Sequence, residues 1–371
     1  MTAHFPLMVP GSKTASPPRE VSAPYDGTLL ATVDAADGGV VERALATAYG
    51  LYRNRDAWLS PARRIDILRA VAKLMQERAE SLALEAAREG GKPLMDSRVE
   101  VARAIDGVLT CAELLRSEAG HVIPMNLDAA SLGRIAFTQR EPVGVVVAVS
   151  AFNHPLNLIV HQVGPAIAAG CPVIVKPAED TPLSCYRLVA LLRECGLPEG
   201  WCQALVAEST AVSGQLVSDR RVGFFSFIGS AAVGWMLRSR LAPGTRCALE
   251  HGGAAPVLVA PDADLEAALP KLLKGGFYHA GQVCVSVQRV FAHRSIAKDF
   301  AGRLGQFAGK LRVGDPCLPE TEVGPLIRHK EVLRVDQWVR EALEGGAQLL
   351  CGGASLVGIL LRAYRAPRPA R

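Results

Sequence analysis

The sequence lacks any run of about 18 apolar residues, the length that a membrane-spanning helix requires. Its N-terminus lacks a basic stretch followed by an apolar core, so we expect no signal peptide. Its nine cysteines include no C-x-x-C pair and no Cys/His cluster at metal-ligand spacing, which argues against disulfides and a metal site. We therefore expect a protein of the reducing cytoplasm, without metal and without membrane contact.

A strong excess of charge is also lacking. The formal net charge is +5, but Arg362, Arg365, Arg368 and Arg371 lie in the last ten residues, and without them the balance is 5 − 4 = +1. Nucleic-acid binding is therefore not expected. What remains is the composition of a soluble globular protein, with 49% hydrophobic and 21% charged residues and a length of 371 residues that allows two domains.

Helical patterns dominate from about Asp37 to Gly120. Ser60-Pro61 is a start signal, because serine caps a helix and proline suits its first turn. Apolar residues then recur at helical spacing until Gly90-Gly91, which predicts the end of that run. A second amphipathic helix is predicted over about Ser97–Ser117.

Strands and helices alternate in the middle of the chain, which predicts an α/β fold with a parallel sheet. The predicted order is strand Val143–Val149, helix Leu156–Ala168, strand Val173–Val175, a helix after Thr181-Pro182, and strands near Leu205-Val206 and Phe224–Ile228. Ligands of such sheets bind beyond the carboxyl ends of the strands. After Gly252-Gly253 the alternation begins again, with strands at Val257–Val259 and near Val290 and helices after Asp264 and Ser295, which predicts a second α/β lobe.

Dinucleotide motifs of the usual kind are missing, since the sequence contains no G-x-G-x-x-G and no Walker lysine. Gly229 and Gly234 instead bracket the start of a helix, where free backbone N–H groups suit a pyrophosphate. The alternative is that both glycines serve only helix–sheet packing. The residues leave both interpretations open.

Five short motifs occur in a fixed order, and they carry the most specific signal. They are F-N-x-P-L at Phe152–Leu156, K-P-A-E at Lys176–Glu179, F-x-G-S at Phe227–Ser230, E-x-G-G at Glu250–Gly253 and G-Q-x-C at Gly281–Cys284. This ordered set resembles the aldehyde dehydrogenase superfamily. The resemblance runs from about Tyr25 to Gly353 and includes Val323–Ile327. It implies a Rossmann-type cofactor domain and an α/β catalytic domain.

The resemblance implies three catalytic roles. Cys284 matches the nucleophile that forms a thiohemiacetal and, after hydride loss, a thioester. Asn153 matches the side-chain amide that, with the Cys284 backbone N–H, stabilises the developing oxyanion. Glu250 matches the general base that activates water for thioester hydrolysis, which implies a free acid as product.

On the cofactor side, the matching positions are Phe152, Lys176, Glu179, Gly229, Ser230 and Gly253. Lys176 and Glu179 match residues that hold the adenosine ribose. A carboxylate at that place accepts hydrogen bonds from a 2′-hydroxyl and repels a 2′-phosphate, so NAD is expected rather than NADP. Ser230 matches the pyrophosphate contact, and Gly253 allows a close backbone approach beside Glu250.

Two positions depart from the family pattern. His251 stands where leucine is usual, and it either perturbs the pKa of Glu250 or points away from it. His154 stands where phenylalanine is common. With Arg103 or Arg98 it suggests a site for a short anionic aldehyde, unless the arginines lie on a solvated helix face.

The resemblance also predicts a division of the chain. We expect a flexible N-terminus (1–20), an NAD-binding domain (21–119 and 141–249), a projecting β-hairpin for oligomerisation (120–140), an incomplete catalytic domain (250–353) and an aberrant Arg/Pro-rich tail (354–371). The E-x-F-G-P motif of the family is absent, so we expect a C-terminally truncated member whose homo-oligomerisation is in doubt. Two alternatives to an active dehydrogenase follow: a silent fragment that binds dinucleotide or pairs with a full-length relative, and a Cys/His hydrolase that uses Cys284 with His279 or His251.

Overall fold

The computed structural model describes residues 2–353, 355–356, 359–360 and 365–366. Its helices are α1 (Gly38–Arg53), α2 (Pro61–Glu77), α3 (Ala79–Gly90), α4 (Leu94–Ser117), α5 (Asn157–Ala169), α6 (Leu183–Glu194), α7 (Thr210–Ser218), α8 (Ala231–Arg238), α9 (Leu265–Phe277), α10 (Ala297–Ala308) and α11 (His329–Glu344). Its strands are β1 (Ala3–Phe5), β2 (Arg19–Ser22), β3 (Leu29–Val33), β4 (Ala35–Ala36), β5 (Val122–Ile123), β6 (Ala136–Phe137), β7 (Val145–Val149), β8 (Val173–Lys176), β9 (Cys202–Ala204), β10 (Val206–Ala207), β11 (Val222–Gly229), β12 (Arg246–His251), β13 (Pro256–Val259), β14 (Arg289–Ala292), β15 (Gln348–Leu349), β16 (Ser355–Leu356), β17 (Ile359–Leu360) and β18 (Arg365–Ala366). Single 3₁₀ turns cover Arg55–Ala57, Glu199–Trp201 and Tyr278–Gly281.

The helix signals of the N-terminal part are confirmed at both ends of the predicted run. The Ser60 side chain accepts a hydrogen bond from the Arg63 N–H and caps α2. Gly91 ends α3 in the left-handed region (φ 71°) that favours glycine. The run is two helices rather than one, because Arg78 (φ −107°, ψ 15°) leaves helical geometry between them.

The predicted parallel sheet is confirmed, with five strands in the order β12-β11-β7-β8-β9. Alternate residues of β7 enter two different hydrophobic cores, one containing Val146 and Ala148, the other Val145, Val147 and Val149. This follows from the side-chain period of a strand, and it explains why β7 is apolar throughout. The sheet is thus covered by helices on both faces.

The strand that we predicted near Leu205-Val206 is wrong in detail. β9 ends at Ala204 within the central sheet, and β10 pairs instead with β4 in a separate two-stranded sheet. Leu205 between them is fully buried and marks the change from one sheet to the other. A continuous apolar run does not reveal such a change, because both sides of it are equally buried.

The segment predicted as a flexible N-terminus (1–20) contains β1 and the start of β2 within its described residues. β1 pairs in parallel with β3, and β2 begins at Arg19 and pairs with the other side of β3. Phe5 is buried with its ring edge-on to Tyr186, 6.0 Å between centroids. Burial of this aromatic side chain offsets the entropy lost on ordering the segment.

Residues 120–140 contain the antiparallel pair of β5 and β6, with Val122 opposite Phe137. Its apolar side chains face solvent, Val122 at 80% and Ile135 at 88% exposure. Exposed apolar surface of this kind is typical of a protein–protein contact. The role of this hairpin in oligomerisation stays a prediction.

The second lobe contains the parallel pair of β13 and β14 with α9 and α10 around a small core that includes Leu269 and Phe300. β12 belongs to the central sheet although it crosses position 249, where we divided the NAD-binding and catalytic domains. That division remains a prediction. Most of the segment 354–371, which we expect to be an aberrant tail, lies outside the described residues, and its described positions form β16, β17 and β18.

Candidate active site

The carboxyl ends of four strands meet at one edge of the central sheet. Cα pairing aligns Val149 of β7 with Lys176 of β8 and with Phe227 of β11, while Glu250 of β12 lies opposite Ile228 of β11. The motifs that follow these strands therefore lie side by side, as expected for parallel strands. This edge brings Asn153, Lys176, Ser230 and Glu250 into one region.

Buried polar atoms without a hydrogen-bond partner cluster after β7. Within the described part of the chain they include Ser150 Oγ, Asn153 Oδ1, Asn157 Oδ1 and Gln162 Oε1. Buried polar groups are nearly always paired in folded proteins, so unpaired ones at one place indicate a bound molecule or water. The residues around Asn153 therefore have the character of a ligand site.

Lys176 and Glu179 lie together at the end of β8, with Lys176 Nζ 3.7 Å from Glu179 Oε1. Burial lowers the pKa of Lys176, while the Glu179 charge acts against that shift. Arg19 Nη1 also donates to Glu179 Oε2 at 3.0 Å, a contact that the sequence did not suggest. A cavity of about 450 Å³ lies beside this group, lined by residues 19–24, Glu179, Asp180 and Ile327.

Gly229 and Gly234 are both fixed by packing. A Cβ at Gly229 would lie 2.7 Å from the Phe227 ring, and one at Gly234 would lie 2.2 Å from His251 Nε2. These contacts support the packing interpretation of the two glycines. They do not exclude a binding role, because the side chain of Ser230, the residue before α8, does not cap the helix, and the first N–H groups of a helix have no partner within it.

His251 points away from Glu250, as neighbours on a strand do. Its ring packs edge-on against Trp235 (5.5 Å between centroids) and Phe227 (6.1 Å). The first of our two options for His251, an effect on the pKa of Glu250, has no support in this packing. The His251 ring instead packs beneath α8, between Trp235 and Phe227.

The loop that carries Cys284 begins with a left-handed turn. His279 (φ 47°) and Ala280 (φ 53°) both have a backbone conformation that non-glycine residues rarely adopt. Gln282 holds the loop: its side chain donates to the Pro325 carbonyl and accepts from the Ile327 N–H at 3.0 Å. The predicted family segment Val323–Ile327 thus supports the cysteine loop directly.

Cys284 itself is exposed and lies against the backbone of the E-x-G-G motif. A Cβ at Gly253 would lie only 2.5 Å from the Cys284 carbonyl oxygen. Glu250 is also exposed and precedes Gly253 at the end of β12. The structure therefore brings the motifs of Glu250 and Cys284 together.

Among the described residues, neither ring nitrogen of His279 and not Nε2 of His251 has a hydrogen-bond partner, so none of them is bonded to Cys284. His279 is fully buried, its pKa is lowered well below the usual value by burial, and Phe152 lies edge-on to it at 6.4 Å. A Cys/His hydrolase needs a histidine in hydrogen-bond reach of the thiol. That alternative is therefore unsupported.

His154 lies in the loop after β7 and stacks on Tyr278, with 5.9 Å between ring centroids. Burial, together with the charges of Lys92 and Arg103, lowers the pKa of His154 to about 2. This histidine is therefore neutral at physiological pH and can offer a ligand a hydrogen bond but no positive charge.

The two arginines that we considered differ in availability. Arg98 forms an ion pair with Glu80 at 2.6 Å, whereas Arg103 is exposed and has no ion-pair partner among the described residues. The prediction that named Arg98 as an alternative to Arg103 therefore loses its support.

His161 is a residue near the site that the sequence analysis missed. It lies within electrostatic reach of both Arg103 and Glu250; burial and Arg103 lower its pKa, and Glu250 raises it. It lies on α5, whereas His154 lies in the loop before that helix, so the spacing of the two histidines in the sequence gives no helical signal.

The described residues contain no group of three or more His, Cys, Asp or Glu side chains arranged to hold a metal ion. No helix among them has both the length and the apolar character needed to cross a membrane.

Comparison with known proteins now gives the family. The aldehyde dehydrogenase family model matches residues 12–362, which extends nine residues past Gly353. A 3-sulfolactaldehyde dehydrogenase from Priestia aryabhattai is 38% identical over 92% of this chain and 71% of its own length. A betaine aldehyde dehydrogenase from Cereibacter sphaeroides is 34% identical over 96% of this chain and 72% of its own length.

Solved structures agree with this result. A glyceraldehyde-3-phosphate dehydrogenase from Methanocaldococcus jannaschii, solved in complex with NADP, superposes with a TM-score of 0.88 and 33% identity, covering 94% of this chain and 76% of that one. The motifs, the sheet and both comparisons point the same way. The chain belongs to the aldehyde dehydrogenase family, as an NAD(P)-dependent oxidoreductase.

Proposed function

We propose that this chain oxidises a short anionic aldehyde to the carboxylic acid with NAD. The observation that carries the proposal is the contact of Gly253 with the Cys284 carbonyl, at the sheet edge where Glu250 and Asn153 also lie. This arrangement supports a division of labour among three side chains. Each step below follows from the chemistry of those groups.

Carbon–sulfur bond formation comes first. The Cys284 thiolate adds to the aldehyde carbon, and the carbonyl oxygen takes the negative charge. Asn153 and the Cys284 N–H donate hydrogen bonds to that oxygen. NAD, when bound, supplies the acceptor for the hydride that leaves the same carbon, and a thioester to Cys284 remains.

Hydrolysis completes the cycle. Glu250 removes a proton from water, the resulting hydroxide attacks the thioester carbon, and the Cys284 thiolate leaves. The products are a carboxylic acid and the free enzyme. The exposure of Glu250 and Cys284 supports this step, since water must reach both.

The fit of the cofactor rests on observations at three places. The unpaired Ser150 Oγ at the end of β7 is open to a polar partner, and the N–H groups at the start of α8 suit a pyrophosphate. Glu179 supplies an acceptor for ribose hydroxyls. Because Arg19 and Lys176 partly neutralise this carboxylate, we propose NAD as the better cofactor by a moderate margin.

We expect NAD to bind about tenfold more tightly than NADP, a difference of about 1.4 kcal/mol. Glu179→Ser should narrow this gap to about twofold, because the repulsion of a 2′-phosphate is removed. Quenching of tryptophan fluorescence during titration with each cofactor measures both affinities. Glu199→Ser is the control, since Glu199 pairs with Arg193 away from the site. Equal affinities in the unmodified chain would exclude this prediction.

The substrate proposal rests on charge at the mouth of the site. Arg103 is exposed without an ion-pair partner, and neutral His154 can donate a hydrogen bond beside it. Names of relatives do not decide the matter: sulfolactaldehyde and glyceraldehyde 3-phosphate are anionic, whereas betaine aldehyde is cationic. The free arginine favours an anion.

The test of activity and substrate uses two aldehydes matched in size, one neutral and one carrying a carboxylate, phosphate or sulfonate. Absorbance of the reduced cofactor gives kcat/KM for each, and the anionic aldehyde should be preferred. Arg103→Met should lower kcat/KM about 10- to 100-fold for the anion alone, as expected for a charged hydrogen bond of about 1.5–3 kcal/mol.

Arg98→Met is the matched control on the same helix, because Glu80 already neutralises Arg98. This control variant should change kcat/KM for either aldehyde by no more than about twofold. A higher kcat/KM for the neutral aldehyde, or an equal loss for both aldehydes in Arg103→Met, would remove the anionic substrate. No turnover of either aldehyde would count against the proposed reaction itself.

A further inference from the structure

A buried ion pair lies directly beneath the loop that carries Asn153. Lys92, just after the end of α3, contacts Glu100 of α4, and both side chains have 0% exposure. Neither residue belongs to the motifs that identify the family site. Their contacts, however, all lead to residues 153–157.

Glu100 supplies the missing cap of α5. Its Oε1 accepts hydrogen bonds from the N–H groups of Leu156 and Asn157, both at 2.9 Å. The residue before α5, Leu156, cannot cap the helix with its own side chain. Glu100 thereby fixes one end of the loop.

Lys92 holds the other end. Its Nζ donates to the main-chain carbonyl of Asn153 at 3.2 Å. One ion pair therefore contacts the loop at Asn153 and at Leu156–Asn157. With its carbonyl held, the backbone of Asn153, from which the side-chain amide extends, is fixed in place.

Stability does not explain why charged groups occupy this place. Burial lowers the pKa of Lys92, which reflects the cost of removing the ammonium group from water. Apolar residues of similar size in place of a buried ion pair are often neutral or stabilising. What apolar residues cannot supply is the set of directed hydrogen bonds to the loop.

We propose that Lys92 and Glu100 are positioning residues, which hold Asn153 so that its amide points at the aldehyde oxygen. The inference rests on the proposed function, in which Asn153 stabilises the oxyanion. Lys92 and Glu100 act through the loop backbone and do not touch the substrate.

The test compares two reactions of Cys284. Addition to an aldehyde creates an oxyanion, whereas alkylation by iodoacetamide at a saturated carbon does not. In Lys92→Met, single-turnover formation of reduced cofactor should fall about 100-fold, as when one oxyanion donor is lost. The alkylation rate of Cys284, followed by mass spectrometry, and the affinity for NAD should each stay within about twofold.

A matched control exists on α3. Glu89 is also buried and accepts hydrogen bonds from Leu183 N (2.8 Å) and Ser184 N (2.9 Å) at the start of α6. Glu89→Gln should weaken the start of α6 as Glu100→Gln weakens the start of α5. Only Glu100→Gln should slow hydride transfer. The double variant K92M/E100L serves if Lys92→Met alone fails to fold, because it removes both buried charges and leaves only apolar side chains there. It should fold and should transfer hydride slowly.

Three results would overturn the proposal: normal hydride transfer in the folded double variant, a parallel loss of alkylation and hydride transfer, or an equal loss in Glu89→Gln. Absence of aldehyde oxidation in the unmodified chain, with Cys284 still alkylated, would overturn the proposed function as well. That outcome differs from the others because it appears before any residue is changed.

Discussion

Replacing Cys284 by alanine is expected to lower aldehyde oxidation by about 10⁴-fold or more, because the covalent step then has no nucleophile. Formation of reduced cofactor under saturating aldehyde and NAD measures the loss. NAD binding should remain, since the proposed ribose and pyrophosphate contacts, Lys176 and Ser230, lie at the end of β8 and at the start of α8. The variant thus separates binding of the cofactor from chemistry.

Cys317→Ala is the control for this result. Cys317 is another partly exposed cysteine of the second lobe, outside the five motifs. We expect it to retain activity within about twofold. Substantial oxidation by Cys284→Ala would mean that the aldehyde is oxidised without a thiohemiacetal at this residue, and the proposed mechanism would be wrong.

Glu250→Gln is expected to separate the two halves of the reaction. Hydride transfer precedes the need for a base, so the first turnover should still produce one equivalent of reduced cofactor per active site. Steady-state turnover should fall about 10²- to 10⁴-fold, because the thioester is no longer hydrolysed efficiently. Rapid mixing with absorbance detection resolves the burst from the slow phase.

Hydroxylamine provides a sharper check on Glu250. It attacks a thioester without help from a general base, so its addition after the burst, once free aldehyde has been removed by gel filtration, should release the acyl group of Glu250→Gln as a hydroxamic acid and return Cys284 to the free thiol. Loss of the burst together with the steady-state rate would contradict this role and place Glu250 before thioester formation. Glu322→Gln, a carboxylate of the second lobe that accepts from the Arg312 N–H, is a suitable control.

The parts of the fold that could be predicted depend on local signals. Ser60 and Gly91 mark helix ends through their own side-chain or backbone properties, and both predictions are confirmed. Apolar runs predicted β7, β8 and β11 of the central sheet, because strands buried between two layers of helices are rich in apolar residues; β12, with its charged and polar residues, was not predicted. The ordered motifs predicted which strand ends carry the site.

The remaining features depend on contacts between residues distant in the chain. Arg19 meets Glu179 only because β2 lies beside the end of β8, and Lys92 meets the Asn153 carbonyl only once α4 packs on α5. Nothing in the spacing of these residues indicates such contacts. The sequence also did not reveal that the chain leaves the central sheet at Leu205, because the residues on both sides of this position are equally buried.

The close approach of Gly253 to Cys284 also bears on how the chain can evolve. Gly253 is exposed, and exposed positions usually drift freely because a new side chain extends into solvent. Here even a methyl group would overlap the Cys284 carbonyl oxygen. Since that oxygen belongs to the backbone, it cannot move aside without displacing the nucleophile. We therefore expect any substitution of Gly253 to be harmful, although the exposure of this residue alone would suggest that it tolerates change.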